Sequence, residues 1–407
     1  MLDVASVRRS FPALQRMVHA KQAVYADGPG GTQVPQAVID AMTGALRRGV
    51  SNLGGPFAAS REATAITDAA RAAVADLYNA PSPNDIVFGQ NMTSLTLALG
   101  RALARTWDPG DEVVCTRLDH DANVSSWMQA ALEAAAVVKL ADFDTESGRL
   151  DPAAIAEVIT DRTRLVAVTH ASNAIGSIVD AAIVTQLAHD VGALVFVDAV
   201  HYAPHGSLDV QRIGCDFLAA SAYKFYGPHI GALYGRTELL AEVDAVKIRP
   251  APSEPPGKWE SGTQSFESLA GVTAAVDYVA SLGTGEHRRD RLVDAMRHIS
   301  AHETLLSERF LQGIAAIDAI TLYGPNGAAE RTPTFAIDVS GVTPSEVARR
   351  LGAEGIFVWH GHYYALEVMQ HLGVLDTGGL VRIGFVHYNT LDEVDRVLGV
   401  LAAIAGG

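Results

Sequence analysis

A lysine at position 224 stands among side chains that would shelter it from water. Ser221, Ala222 and Tyr223 precede it, an apolar run lies at 217–220, and a Phe-Tyr-Gly-Pro sequence follows. Confinement strips water from an ammonium group and lowers its pKa, which makes the amine a better nucleophile. The pattern therefore indicates a reactive lysine; a solvated lysine at the end of a strand is the alternative.

A carboxylate closes another predicted strand, further upstream in the chain. Asp198 follows the apolar run 193–197, and His201 comes three residues later. A carboxylate at such a position is poorly solvated unless a cation or an N–H group faces it. We expect Asp198 to bind a cationic group of a ligand, with His201 on the same ligand face; a helix N-cap is the alternative.

Two sites further upstream could also contact a ligand. Residues 89–94 join a predicted strand to a predicted helix, and the helix-start amides with the hydroxyls of Thr93 and Ser94 could hold a phosphate, if they do not serve only as an N-cap. His120 follows the strand ending at Cys115, and a flat imidazole there can stack on an aromatic ligand. A metal-ligand role for His120 is disfavoured because no cluster of other ligands is nearby.

One cofactor uses all four features, and it is pyridoxal 5'-phosphate. Its phosphate would lie at the helix start near Thr93, and its ring under His120. Its ring nitrogen would pair with Asp198, and its aldehyde would bond to Lys224.

The hydrophobic pattern places these residues on an α/β scaffold. From about residue 60, short β-branched runs alternate with helical periodicity, which is typical of βα units around a mainly parallel sheet. The predicted strands are 85–88, 112–115, 137–140, 164–169, 193–197 and 216–220, and the predicted helices between them include 94–106, 125–135, 152–159 and 181–191.

The C-terminal part reads as a smaller α+β unit joined by a long helix. Its predicted strands are 334–338, 356–358 and 380–383, and its predicted helices are 344–354 and 391–404. A chain of 407 residues usually exceeds one hydrophobic core. We therefore expect an N-terminal segment 1–20 packing with the small domain, a large cofactor-binding domain 21–285 and a small domain 286–407.

Composition narrows the classes of partner. The net charge of −15, with no cluster of Lys and Arg, argues against nucleic acid and acidic membranes. No apolar run is long enough to span a bilayer, the first residues lack the apolar segment of a signal peptide, and Cys115 and Cys215 are too few for a disulfide framework. We expect a cytoplasmic enzyme.

The motifs, taken in order from 25–32 to 382–390, resemble the class V aminotransferase family of fold-type I pyridoxal-phosphate enzymes, and within it the cysteine desulfurase-like and selenocysteine lyase-like branch. The resemblance implies a large domain with a seven-stranded type of mainly parallel sheet and a homodimer that acts on an amino acid. It implies the following site residues: Lys224 as the Schiff-base lysine, Asp198 as the ring-nitrogen partner, His120 as the stacking residue, Met92, Thr93 and Ser221 at the phosphate, Asn173 near the ring hydroxyl, Thr263 reaching the phosphate of the other subunit, and Arg382 as the clamp of the substrate carboxylate. Gly30 belongs to a glycine-rich stretch that could leave room for the substrate.

Three positions depart from the pattern of the desulfurases. His201 stands where they usually carry Gln, Tyr223 where they usually carry His, and Tyr364 where they carry the catalytic cysteine on a mobile loop. His201 and Tyr223 can still hydrogen-bond the cofactor. A phenol cannot form a persulfide, so Tyr364 predicts a different catalytic route.

The chemistry that remains needs only the lysine, the cofactor and the carboxylate clamp. The first prediction is a C–S β-lyase acting on cysteine or an S-substituted cysteine, with Tyr364 or Tyr363 as the acid for the leaving sulfur. The alternatives are an aminotransferase or an amino-acid epimerase. A catalytically silent cofactor-binding protein is disfavoured, because such a protein has no use for a substrate clamp.

Overall fold

The structure is a computed structural model that describes residues 2–406. Its strands are β1 Met17–Val18, β2 Lys21–Gln22, β3 Val24–Tyr25, β4 Ile86–Gly89, β5 Glu112–Thr116, β6 Val137–Ala141, β7 Thr163–Thr169, β8 Leu194–Asp198, β9 Phe217–Ser221, β10 Gly231–Gly235, β11 Ile320–Tyr323, β12 Thr334–Val339, β13 Ile356–Phe357, β14 Trp359–Gly361 and β15 Leu380–Gly384.

The helices pack on both faces of the sheets. They are α1 Val4–Arg9, α2 Gln36–Arg48, α3 Ala58–Tyr78, α4 Met92–Leu103, α5 Ser125–Ala134, α6 Pro152–Val158, α7 Ala181–His189, α8 Val210–Ile213, α9 Thr237–Glu242, α10 Phe266–Ala280, α11 Arg288–Ile314, α12 Pro344–Ala353, α13 Leu366–His371 and α14 Leu391–Ala405. Within residues 2–406, no helix combines the length and apolar character needed to cross a bilayer.

The large sheet has seven strands in the order β4-β10-β9-β8-β7-β5-β6. Its strands from β9 to β6 are parallel, whereas β10 runs antiparallel to both β9 and β4. Strands β7, β8 and β9 are almost wholly buried, which explains why each reads as a continuous apolar run rather than an alternating one. The predicted α/β fold with a mainly parallel sheet is confirmed.

The parallel strands end at one edge of this sheet, and the segments after them carry polar side chains. Thr169 at the end of β7 is the register partner of Asp198 at the end of β8, which in turn pairs with Ala219 of β9. The last residue of β9 is Ser221, and a single 3₁₀ turn then carries the chain to Lys224. Ligands of open α/β sheets bind at this edge.

The small sheet is antiparallel, in the order β11-β12-β15-β14. Phe310 of α11 packs on Phe335 of β12 and Phe385, with ring centroids 4.4 Å and 5.6 Å apart. The amide of Gly384 donates to the carbonyl of Ala26 at 2.8 Å. This contact fixes the N-terminal segment beside β15, so that residues 27–30 reach the edge of the large sheet. The domain boundaries stay a prediction.

Candidate active site

A cavity of about 930 Å³ lies between the carboxyl edge of the large sheet and strands β14 and β15. Apart from Ser94 and Thr263, every site residue predicted from the sequence lines it: Gly30, Met92, Thr93, His120, Asn173, Asp198, His201, Ser221, Tyr223, Lys224, Tyr363, Tyr364 and Arg382. Thr263 is exposed and is not part of this lining. Its contribution across a dimer stays a prediction.

Lys224 is buried, with 9% of its surface exposed. Its Nζ donates to the carbonyl of Pro29 and lies 4.7 Å from the centroid of the Tyr223 ring. Burial, aided by the positive charge of Arg382, lowers the pKa of the lysine to about 7, against the opposing effect of Asp198 and Asp27. The expected sheltered lysine is confirmed, and much of it is a neutral amine at neutral pH.

Asp198 lies at the end of β8 with its side chain in the cavity lining. Its Oδ1 accepts a hydrogen bond from the amide of Val200 at 2.9 Å. Burial raises the pKa of the carboxyl to about 6, although this hydrogen bond and the charge of Lys224 act in the other direction. A ligand that brings a cationic N–H group would stabilise the charged form of Asp198.

His120 presents a neutral imidazole to the cavity. Its Nδ1 accepts a hydrogen bond from the amide of Ala122 at 3.0 Å, so the ring carries its proton on Nε2. Burial, together with the charges of Lys224 and Arg382, lowers the pKa of His120 to about 4. The ring is nearly parallel to that of Tyr364, at 16° and a centroid distance of 5.7 Å. An uncharged flat ring of this kind is suited to stacking.

The helix start at the predicted anion site lies two residues earlier than the sequence suggested. Asn91, rather than Thr93 or Ser94, caps α4, through its side chain and the amide of Ser94 at 2.9 Å. The amide of Met92 donates to Ser221 Oγ at 2.9 Å, which ties the helix start to the end of β9. Thr93 is exposed in the first turn, so its hydroxyl can reach an anion at the helix start.

Gly231 allows this close approach between β10 and the start of α4. A Cβ atom at position 231 would lie 2.4 Å from the backbone carbonyl carbon of Asn91, a contact that only backbone movement could relieve. We expect Gly231→Ala to cost about 1–3 kcal/mol of unfolding free energy and to weaken the binding of pyridoxal phosphate. Urea unfolding and a fluorescence titration with the cofactor measure the two effects. Gly327→Ala, at a site with φ of −102° and open space around the new Cβ, is the control.

Arg382 is a buried cation on which the charge of Asp27 acts without a direct ion pair in the described chain. Within residues 2–406 it forms no salt bridge, its Nη1 donates to the carbonyl of Asn173 at 3.0 Å, and its Nε is buried without a partner. Its guanidinium lies 4.6 Å from the centroid of the Tyr363 ring. Burial lowers the pKa of Arg382 to about 10, so the group stays charged at neutral pH. It is free to receive the carboxylate of an amino acid.

His201 and Asn173 are held by neighbours around the cavity. His201 Nε2 lies 3.0 Å from Thr332 Oγ1 and 3.1 Å from Thr334 Oγ1, and burial lowers the pKa of the ring. Asn173 Nδ2 donates to the carbonyl of Tyr363 at 3.0 Å, while its Oδ1 is buried without a partner in the described chain. Both side chains are fixed before any ligand arrives, and the oxygen of Asn173 can still accept a hydrogen bond.

The segment 360–365 closes one side of the cavity in a left-handed backbone conformation. Tyr363 and Tyr364 have φ values of 51° and 57°, where bulky side chains are rare. The amide of Asp121 donates to the carbonyl of Tyr364 at 2.6 Å, as Asn173 does to that of Tyr363. A strained backbone of this kind persists only where surrounding contacts impose it. Here the hydrogen bonds from Asp121 and Asn173 supply those contacts.

Two residues had no role in the sequence-based prediction: Trp359, which lines the cavity, and Asp27, which lies outside the lining but whose charge acts on Arg382 and Lys224. Burial raises the pKa of Asp27 to about 6, and its Oδ1 lacks a partner in the described chain. Trp359 of β14 is the direct register partner of Arg382. The Asp-Gly-Pro-Gly-Gly sequence could have indicated a constrained carboxylate at Asp27. Nothing in the local sequence marks Trp359, because its position beside Arg382 results from the pairing of β14 with β15.

The side chains present fit pyridoxal phosphate. Asp198 is a buried carboxylate that lacks a salt-bridge partner within residues 2–406, which suits a protonated ring nitrogen. Lys224 is a buried amine with a lowered pKa, which suits an aldehyde. His120 offers a flat neutral ring, and the start of α4 offers the amide and hydroxyl of Thr93, with the hydroxyl of Ser221 beside them, for a phosphate.

Three kinds of comparison place the chain among known proteins. The sequence profile of the class V aminotransferases matches residues 24–397. The chain is 33% identical to the cysteine desulfurase of Dickeya dadantii, over 98% of this chain and 96% of that protein. It is 34% identical to a probable cysteine desulfurase of Mycolicibacterium paratuberculosis, but spans only 59% of that longer protein.

The fold has a close counterpart among solved structures. The apo structure of a cysteine desulfurase from Thermococcus onnurineus superposes with a TM-score of 0.89 at 28% identity, over 100% of this chain and 99% of the other. Family, fold and site chemistry agree, and the cofactor they imply is pyridoxal 5'-phosphate. The chain belongs to the class V aminotransferase family of pyridoxal-phosphate-dependent enzymes, in its cysteine desulfurase-like branch.

Proposed function

We propose that this protein is a C–S β-lyase that cleaves cysteine or an S-substituted cysteine without forming a persulfide on the enzyme. The observation that carries the proposal is the position of Tyr364. Its ring is nearly parallel to the ring of His120 and lines the cavity. Tyr364 belongs to the segment that resembles the one on which the desulfurases carry their reactive cysteine.

The two cysteines of the chain are unsuited to accept sulfur. Cys115 lies within β5 and Cys215 directly before β9, and both are buried away from the cavity lining. Burial raises the pKa of each thiol above its ordinary value. A persulfide requires an accessible thiolate, and neither residue provides one.

Elimination uses the groups that the cavity brings together. Bound pyridoxal phosphate withdraws electrons from Cα of an amino acid and so makes its Cα proton acidic. Arg382 holds the substrate carboxylate, and the amine of Lys224 takes the Cα proton. The Cβ–S bond then breaks, and the sulfur leaves as a thiol with a proton from the Tyr364 hydroxyl. Water hydrolyses the remaining three-carbon fragment to pyruvate and ammonia, so no external oxidant or reductant is needed.

The remaining predicted residues would hold the cofactor. In this proposal Asp198 pairs with the ring nitrogen and His120 covers the ring, while Asn173, His201 and Tyr223 lie around its hydroxyl edge. Met92, Thr93 and Ser221 surround the phosphate. We also propose a homodimer in which Thr263 of each subunit reaches the phosphate of the other, since Thr263 is exposed and outside its own cavity.

Product analysis tests the proposal. Holoenzyme is incubated in heavy water with L-cysteine and S-methyl-L-cysteine, with and without a keto acid. The lyase predicts stoichiometric pyruvate, ammonia and thiol, independent of the keto acid. Amino transfer that depends on the keto acid indicates an aminotransferase, and Cα deuteration of recovered substrate without pyruvate indicates an epimerase. Either of these results would contradict the proposed lyase function.

The acid role of Tyr364 makes a separate prediction. Tyr364→Phe keeps the ring and removes the hydroxyl, so kcat for S-methyl-L-cysteine should fall by about 10²-fold, the usual contribution of a general acid. β-Chloro-L-alanine has a leaving group that needs no proton, so its kcat should change less than about threefold. Equal losses for both substrates would show that the hydroxyl acts in some other way.

A further inference from the structure

Two aromatic rings, those of Trp359 and Tyr364, line the outer part of the candidate active site, and we call this pair the aromatic mouth. Among the described residues that line the cavity, the charged side chains are Asp198, Lys224 and Arg382, and the proposed reaction already uses each of them. Apart from histidines such as His360 and His362, the side chain of the substrate therefore meets no further basic or acidic residue in this lining. Its outer part is formed by two largely exposed rings, Trp359 at 55% and Tyr364 at 68% exposure.

Strand pairing places Trp359 beside the carboxylate clamp. Trp359 of β14 and Arg382 of β15 are direct antiparallel partners, and such partners project to the same face of a sheet with Cβ atoms about 4.5–5.5 Å apart. Both side chains line the cavity. An amino acid held at Arg382 thus has the indole as its immediate neighbour.

The indole occupies space that is open because residue 30 is a glycine. A Cβ atom at Gly30 would lie 2.6 Å from Trp359 Nε1, so any larger residue at position 30 would displace the ring. The space that the glycine-rich stretch was expected to leave for the substrate is therefore occupied by Trp359 itself. Gly30 still lines the cavity, but its effect on the substrate acts through the indole.

Tyr364 forms the second side of the mouth. The carbonyl of Tyr364 accepts a hydrogen bond from the amide of Asp121, its amide donates to His362 Nδ1 at 3.1 Å, and its ring is nearly parallel to that of His120. The ring is thus oriented before a ligand arrives, although most of its surface is open to water. Exposed, oriented rings are suited to a planar apolar group.

We propose that Trp359 and Tyr364 select S-substituted cysteines whose sulfur carries an uncharged aromatic group. This inference rests on the proposed lyase function for the identity of the leaving group. The cavity, about 930 Å³, is near the upper end of the range of roughly 300–1,000 Å³ typical of small-molecule sites, so it can hold such a group besides the cofactor. Free cysteine would leave both rings uncovered.

Kinetics and binding test the two proposals separately. For the holoenzyme, kcat/KM for pyruvate release should be about tenfold higher with S-benzyl-L-cysteine than with S-methyl-L-cysteine. Binding is measured by calorimetry with their unreactive isosteres, L-2-amino-5-phenylpentanoate and L-norvaline, and should show the same preference. Trp359→Ala should abolish the preference, Trp359→Phe should keep most of it, and Leu132→Ala, at an exposed leucine outside the cavity, should leave it unchanged.

The outcomes are distinguishable. Equal affinity of the wild-type holoenzyme for the two isosteres, or a preference that survives Trp359→Ala, would overturn the aromatic mouth even if both cysteines yield pyruvate. If the wild-type holoenzyme binds the phenyl isostere preferentially and Trp359→Ala does not, the proposed role of the aromatic mouth is supported. In that case absence of pyruvate would count against the lyase alone.

Discussion

Lys224→Ala should lower pyruvate formation from S-methyl-L-cysteine by at least about 10³-fold, because in the proposed reaction one side chain serves both as the covalent anchor and as the base at Cα. The protein should still fold, since burial already disfavours the ammonium and its removal leaves no unpaired charge. Pyruvate formation is followed with a coupled dehydrogenase assay, and unfolding is followed by circular dichroism.

The control for this variant is Lys139→Ala, which removes a lysine that pairs with Glu112 outside the cavity. It should retain wild-type turnover. The absorbance band that pyridoxal phosphate gains on the wild-type protein should be missing from Lys224→Ala. Turnover within tenfold of wild type in Lys224→Ala would show that another group takes the Cα proton.

Asp198→Asn should give the second largest loss, about 10²–10³-fold in kcat, as expected for removal of one preorganised electrostatic contact. The change keeps the shape of the side chain and its acceptor for the amide of Val200, but removes the negative charge. A neutral amide cannot stabilise a protonated ring nitrogen, so the electron-withdrawing power of the cofactor falls.

Cofactor content separates this electrostatic role from a structural one. The Asn variant should bind pyridoxal phosphate in nearly wild-type amount, through Lys224 and the phosphate site, and should have a similar melting temperature. Reconstitution with a cofactor analogue methylated at the ring nitrogen, which carries a fixed positive charge, should restore part of the activity of Asp198→Asn. No rescue, together with loss of the cofactor, would indicate that Asp198 serves only to hold the fold.

Much of the scaffold could be predicted from the sequence because its parallel strands are buried on both faces. Each predicted strand of the large sheet lies within one residue of an observed one, from β4 to β9. Strand β10 was missed, because Gly231–Gly235 begins and ends with glycine and gains its stability from antiparallel pairing with β9 and β4. Its pattern carries no periodicity of its own.

The site residues also fall into those that the sequence predicts and those that it does not. Lys224, Asp198 and His120 follow strands of the parallel sheet, so strand order alone brings them to one edge. Trp359 could not be found from the sequence, because its place beside Arg382 depends on the register of β14 against β15. The start of α4 at Met92 was also displaced from the prediction, since Asn91 rather than Thr93 satisfies the first amides.

The central claim is that the reaction proceeds without a persulfide. Its most direct test is a cysteine-free protein, Cys115→Ala with Cys215→Ala, assayed with L-cysteine after melting analysis confirms that it is folded. We expect pyruvate, ammonia and sulfide at the wild-type rate, with no sulfur adduct on either protein by mass spectrometry. Alanine as the product of the wild-type enzyme, with its formation lost in the folded cysteine-free protein, would contradict the account.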